Sequence, residues 1–467
     1  MSASLPNPGT PLPVSAAAPV AQADPPGGRR AIAVWSVGVS VYFVAVIFRT
    51  SLGVAGLDAA ERYDIGSSAL STFSILQLLV YAGMQIPVGL LVDRFGTKRV
   101  LSMGAVLFTA GQLGFAFAPS FGTALASRAL LGCGDAMTFI SVLRLGTRWF
   151  PPHKGAVIAQ LAGLLGQAGN LVSTLVLAQL LHGLGWTKAF AGSALAGVVV
   201  LVLVQLFLKD HPEGQAPAPA RHPGGAYVRK QIAESWREPG TRLGLWTHFT
   251  TQFPAMMFLL LWGMPFLVEA QGLSRGTASW LLTLVVGTSL LFGLVFGQVI
   301  GRNPAFRLRL ALGTVAGVLV VWTATLAWPA DHAPMWLLVM LCAMLGACGP
   351  ASLIGLDFSR PANPPERQGT ASGIVNMGGF VASMLTLLLV GVLLDATGDN
   401  YRAAFSVVYV LAAVGLSQIL RLRKKAMLRE REQARTAMVA VVTSSSAAVP
   451  GPRHGDQAAD GTVTAAR

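Results

Sequence analysis

Apolar residues run along this chain in long blocks, and polar residues collect between the blocks instead of alternating within them. Twelve blocks stand out, at approximately 31–55, 68–92, 98–118, 122–146, 155–181, 189–208, 243–267, 277–300, 308–328, 334–356, 369–394 and 402–420. A hydrocarbon core about 30 Å thick takes about 20 helical residues to cross, so each block is long enough to span. Inside a bilayer no water satisfies the peptide groups, and a helix closes its hydrogen bonds within its own segment. The pattern predicts an all-α membrane protein with twelve transmembrane helices, here spans 1–12 in chain order.

Between spans 6 and 7 a polar, Pro-rich stretch divides the chain into two sets of six. This gives a Pro- and Ala-rich N-terminal tail (1–28) expected to be disordered, a first six-helix bundle (29–208), a linker (209–242), a second bundle (243–420) and a basic, then disordered, C-terminal tail (421–467). The tail at 1–28 has no basic region leading an apolar core and cleavage site, so it does not read as a signal peptide. The halves resemble each other. "FPPHKGAVIAQLAG" entering span 5 parallels "NPPERQGTASGIVN" entering span 11, and "GWTKAF" entering span 6 parallels "NYRAAF" entering span 12, at an offset of roughly 214 residues. Repeated sets of six spans predict two pseudo-symmetric bundles around a midplane site.

Composition sharpens this picture. Hydrophobic residues make up 53% of the chain and charged ones 12%, about half the charge of an average soluble domain. The net charge of +14 does not indicate a nucleic-acid partner, because the basic residues lie between apolar runs and not on a polar face interleaved with aromatics. Of 34 Lys and Arg, three (Arg49, Arg128, Arg144) lie within spans, four (Arg62, Lys188, Arg275, Arg402) fall in alternate loops on one side, and the remaining 27 lie on the other. The positive-inside rule makes the richer side cytoplasmic, with both termini there, and "RLRKKAMLRERE" (421–432) continues span 12 as a topological anchor beside anionic lipid. Cys133, Cys342 and Cys348 fall inside apolar runs with no metal-ligand spacing, and the histidines form no zinc or nucleophile–base constellation. No metal, cofactor or enzymatic activity is expected.

One loop breaks the apolar monotony with "GLLVDRFGTKRVL", residues 89–101, between spans 2 and 3. Positive-inside bias accounts for Arg94, Lys98 and Arg99 but not for Asp93. The stretch resembles the loop signature G-x-L-x-D-R-x-G-R-K-x-x-L of the major facilitator superfamily: Gly89, Leu91, Asp93, Arg94, Gly96, Lys98 and Leu101 match, and Thr97 departs. The superfamily's span-4 signature R-x-x-x-G-x-G is present as Arg128, Gly132 and Gly134, while the Gly-Pro run in span 5 of many drug/proton antiporters is missing. The resemblance covers about residues 30–420. It implies that spans 1, 4, 7 and 10 line a central cavity, and that the 89–101 loop is a gate in which Asp93 meets the N-terminal end of span 11 when the cytoplasmic side is shut. Such an end carries free N–H groups and positive dipole, worth about 0.3–1 kcal/mol to a carboxylate and up to about 2 when partly buried. The equivalent loop of the second half has Gly301 where the aspartate would stand.

Charges within a span are costly and face a cavity or a partner. Arg49 lies deep in span 1 with Tyr42 seven residues earlier on the same face. Its planar fork matches a carboxylate or phosphate, the alternative being an internal pair with Asp135. Asp135, the one acid well inside a span, is the candidate proton-coupling group together with Arg128, seven residues earlier on the same face; a permanent Asp–Arg pair joining helices is the structural alternative. Desolvation disfavours the charged carboxylate and a nearby arginine favours it, so a cycle that alters either would load and release a proton. Arg144 reads as structural. Gln167 and Asn170 in span 5 and His248 and Gln252 in span 7 are the remaining candidate substrate contacts, with interhelical hydrogen bonding as their ordinary explanation.

Three arginines against one central carboxylate favour a small anionic or zwitterionic solute, moved by alternating access and coupled to protons. Superfamily members that carry nitrate or organic anions are the nearest in kind. A proton-driven multidrug exporter and a non-transporting membrane sensor of the same fold are the alternatives. No nucleotide-binding loop is present, so ATP is not the energy source. A monomer in the lipid bilayer of the inner or plasma membrane is expected.

Overall fold

A computed structural model describes residues 27–151, 154–212, 225–364 and 367–447; the side chains of some residues within these stretches, Asp93 and Gln167 among them, lie outside the described residues, as do 1–26 of the expected tail at 1–28 and 448–467 of the expected tail at 421–467. Among the described residues, twelve helices are long and apolar enough to cross a membrane. They run Arg29–Tyr63, Ser67–Phe95, Thr97–Phe117, Phe121–Trp149, Gly155–Leu184, Trp186–Phe207, Pro239–Ala270, Arg275–Arg302, Pro304–Leu326, Met335–Ser359, Gln368–Thr397 and Tyr401–Arg429. No strand occurs among the described residues. A further helix, Gly225–Arg237, precedes span 7, and the last helix continues well past its span to Ala447.

Small residues set the helix crossings, as expected where lipid is as apolar as leucine and close approach supplies the attraction. A Cβ on Gly104 would lie 2.9 Å from the Gly134 carbonyl oxygen, so spans 3 and 4 touch backbone to backbone. Spans 7 and 10 do the same in the second bundle, where a Cβ on Gly355 would lie 2.5 Å from the Gly244 carbonyl oxygen.

Spans 1, 7 and 10 depart from straight α-helix for local reasons, and span 5 carries a further π turn at Ser173–Leu177. Span 10 divides into Met335–Gly346 and Cys348–Ser359. Pro350 has no N–H for the Gly346 carbonyl four residues earlier, so the interruption falls where the Gly349–Pro350 pair predicts a bend. Span 7 carries wide π turns at Phe258–Trp262 and Phe266–Ala270 after Pro254 and around Pro265. Span 1 is interrupted at Ser51, whose N–H reaches back to the Phe48 carbonyl at 3.4 Å, and resumes as Leu52–Tyr63.

We call the face bearing the 89–101 loop the motif face and the opposite one the far face. Among the described residues, the polar contacts joining the bundles lie toward the far face: Asp58 with Arg275 at 2.7 Å, Asp395 with the start of span 2, and the hydroxyls of Thr174 and Thr283 at 3.1 Å. Tyr81 and Phe380 meet near mid-depth with ring centroids 5.3 Å apart. Toward the motif face the same seam loosens. Added Cβ atoms on Gly83 and Gly89 of span 2, Gly163 of span 5, Gly297 and Gly301 of span 8, and Gly369 and Gly373 of span 11 would meet nothing within 4 Å. Among the described residues, the polar contacts between the bundles are thus gathered on the far face, and the glycines toward the motif face have open space beside them.

Candidate functional site

The interruption of span 1 creates the first half of the site. A helix end leaves carbonyls without intrahelical donors. Arg128, fully buried in span 4, supplies them: Nη1 donates to the Phe48 carbonyl at 3.2 Å and to Ser51 Oγ at 3.1 Å, and Nη2 donates to the Arg49 carbonyl at 3.0 Å. Its guanidinium also lies 5.1 Å from the Phe115 ring centroid. Arg128 thus fixes the backbone from which Arg49 projects. Removing it would take the donor from the Arg49 carbonyl and three charge-assisted bonds from the buried break in span 1, so Arg128→Ala is expected to lose about 3 kcal/mol of stability or more. Thermal unfolding in detergent should show an earlier transition, and Arg128→Lys, whose donors radiate from one nitrogen and not from a planar fork, should restore only part of it.

One turn of span 1 away, Arg49 pairs with Asp135 of span 4. Nε donates to Oδ2 at 2.6 Å and Nη2 to Oδ1 at 2.7 Å, the bidentate geometry of a strong charge-assisted pair. The Asp135 side chain is 0% exposed and that of Arg49 12%, so the arginine is the member an incoming solute can touch. Tyr81 of span 2 lies under the guanidinium, its centroid 4.6 Å from Cζ, and Tyr42 flanks the pair while packing on Phe139 at 5.2 Å. The site is a cation whose fork is occupied by an internal carboxylate and whose faces are lined by phenol rings. An anion can reach it by displacing Asp135 from the fork.

The remaining candidates fall elsewhere. His248 is buried in the second bundle, with Nδ1 2.8 Å from the Ser352 carbonyl oxygen; a carbonyl only accepts, so Nδ1 carries the proton and Nε2 is left for another partner. Gln252 lies one turn on, and both press against Gly379 of span 11, where a Cβ would meet the His248 ring at 2.6 Å. Asn170 is buried in span 5, and the Thr174 hydroxyl donates to its carbonyl at 3.0 Å. Arg144 is exposed near the motif-face end of span 4. Arg49, Tyr42, Asp135 and Arg128 come together as one cluster, whereas His248 and Gln252 form a separate group on spans 7, 10 and 11.

In the loop motif, Gly96 holds φ at 83° and leaves room for Asp210, whose Oδ1 accepts from the Lys98 backbone N–H at 2.7 Å. The Lys98 ammonium donates to the Gln205 carbonyl at 2.8 Å, and Arg94 is exposed beside Phe95. The end of span 6 therefore caps span 3. Sequence reasoning missed Asp210 and Tyr81; the signal for Tyr81 is a phenol in the middle of an apolar span, where the hydroxyl needs a partner.

The sequence profile described as Major Facilitator Superfamily matches residues 38–356 and again 245–446. A probable sulfoacetate transporter of Cupriavidus necator is 27% identical over 394 residues, covering 80% of this chain and 90% of its own. A probable galactarate/D-glucarate transporter of Bacillus subtilis is 23% identical over 448 residues, 87% of this chain and 96% of its own. Among solved structures, a bacterial homolog of the human lysosomal transporter Spinster superposes with a TM-score of 0.68 at 15% identity, covering 86% of this chain and 99% of that one. A D-xylose–proton symporter superposes at 0.65, also at 15% identity, over 84% and 96%. Twelve spans, the loop and span-4 signatures, the two-bundle fold and the profile match agree, and the chain is a secondary transporter of the Major Facilitator Superfamily, not an enzyme.

Proposed function

We propose that this transporter moves a small organic anion, bearing a carboxylate or sulfonate group, together with protons. The observation that carries the reading is the bidentate Arg49–Asp135 pair, in which only the arginine is open to a solute. Both relatives are named as transporters of anions, sulfoacetate and the sugar diacids, which fits a cationic site. Protonation of Asp135 removes the negative charge that holds the guanidinium fork, and an anion then takes its place. Proton and anion bind as a set because either alone leaves an uncompensated charge in a desolvated site. His248, Gln252, Asn170 and Gln167 are assigned to the remainder of the solute.

In this reading the motif face, which gathers most Lys and Arg, is cytoplasmic with both termini, and the protein acts as a monomer. Closing that face brings Asp93 to the N-terminal end of span 11, where Gly369 now has open space. Asp93→Asn is expected to shift the population toward the cytoplasm-open form by a few-fold. Labelling of a cysteine at Gly373 from the cytoplasmic side should rise, and unchanged labelling would remove Asp93 from the gate.

The direct test of cargo is uptake of radiolabelled sulfoacetate, glucarate and galactarate into proteoliposomes, with and without an imposed pH gradient. Saturable uptake of at least one, accelerated by an acid exterior, is expected. Uptake of none, with proton-driven extrusion of lipophilic cations instead, would support the multidrug exporter; neither activity would leave the sensor.

A further inference from the structure

The helix start of span 2 is capped by the other bundle. Both oxygens of Asp395, at the far-face end of span 11, accept from the first backbone N–H groups of span 2: Oδ1 from Ser67 at 2.8 Å and Oδ2 from Ser68 at 2.9 Å. These are among the donors a helix start leaves unpaired, and a carboxylate there also meets the positive end of the helix dipole. Span 2 has no cap of its own, because its N-cap residue is Gly66. Of the other far-face starts, those of spans 4, 8 and 12 cap themselves, with Ser120, Ser274 and Asn400, whereas those of spans 6 and 10 follow Gly185 and Pro334 and have no side-chain cap.

The backbone is shaped for this contact on both sides. A Cβ on Gly66 would lie 3.0 Å from Asp395 Oδ1, and a Cβ on Gly391, one turn before Asp395, would lie 2.8 Å from the Ser67 carbonyl oxygen. Gly66 sits at φ −73°, ψ 175°, a conformation open to any residue, so clearance and not backbone strain is what glycine provides. Nearby, Asp58 of the first bundle and Arg275 of the second pair at 2.7 Å. That exposed side-chain pair is worth little alone. Two backbone donors held to one carboxylate are better fixed.

We propose that Asp395 is a far-face latch: it caps span 2 in trans only while the far face is closed, so parting the bundles there uncaps that helix. An interaction made in one state and lost in the other shifts the equilibrium by its differential strength. The latch would oppose the Asp93 contact. Asp395 near the C-terminal end of span 11 caps the start of span 2 at the far face, and in the proposed gate Asp93 near the C-terminal end of span 2 would cap the start of span 11 at the motif face. It uses no residue of the Arg49 cluster and stands whatever the cargo is.

The test is a pulsed EPR distance measurement across the far face, in the full chain, between nitroxides on cysteines placed at the exposed positions Glu61 and Asp331. Asp395→Ala should raise the ratio of long to short distances about fivefold, as expected for loss of a charged cap, with Asp395→Asn between it and the parent. Gly66→Asp gives span 2 its own cap and repels Asp395, and should raise the ratio similarly without altering Asp395. Melting temperature in detergent identifies any variant that is merely misfolded. Distance distributions unmoved by both Asp395→Ala and Gly66→Asp in folded protein would overturn the latch.

Discussion

Arg49→Ala is expected to reduce anion uptake by roughly two to three orders of magnitude, the cost of removing one member of a desolvated charge pair. Two losses combine in that substitution. The solute loses its fixed cation, and Asp135, 0% exposed, keeps a charge with no partner. Arg49→Lys should recover only part of the activity, because an ammonium offers a point charge where the site uses a planar fork at 2.6 and 2.7 Å. The double variant Arg49→Ala/Asp135→Asn separates the two losses. It removes the stranded charge and should restore folded protein, while direct binding of the labelled anion stays lost. Full binding by that double variant would make the pair a helix–helix strut and place recognition elsewhere.

Asp135→Asn is expected to abolish gradient-driven accumulation while leaving counterflow exchange measurable. A single coupled proton can support up to about tenfold accumulation per pH unit, and the variant should fall to unity because asparagine has no proton to carry. The amide can still accept one hydrogen bond from Arg49, so the cluster keeps most of its packing and the anion finds the guanidinium uncontested. The opposite pattern, loss of folded protein with no decoupling, belongs to a permanent structural pair. Continued accumulation in response to an imposed pH gradient would exclude Asp135 as the coupling group. Equilibrium exchange against net uptake at a pH gradient of one unit resolves these outcomes in one preparation.

Some of this molecule could be read directly along the chain. The number and places of the spans follow from apolar block length, since a bilayer core leaves a segment little choice but to be a helix of about 20 residues. Gly349–Pro350 announces the interruption of span 10 because a missing N–H acts locally. Arg49 and Asp135 were visible as candidates because charge in an apolar run needs a partner, and their pairing stood among the alternatives.

Which partner each group takes was decided in three dimensions. Arg128 shares a helix face with Asp135, yet its guanidinium goes to the carbonyls of Phe48 and Arg49, acceptors that exist only because span 1 is interrupted at Ser51. Tyr81 reaches the Arg49 guanidinium through the packing of span 2 on span 4. Asp395 in sequence is an acid near a helix end; it becomes the cap of span 2 because spans 2 and 11, more than 300 residues apart, cross at Gly66 and Gly391. Helix formation in a membrane is settled by each segment's own composition, whereas hydrogen-bond partners are settled by which helix surfaces meet, and that depends on small residues scattered over the whole chain.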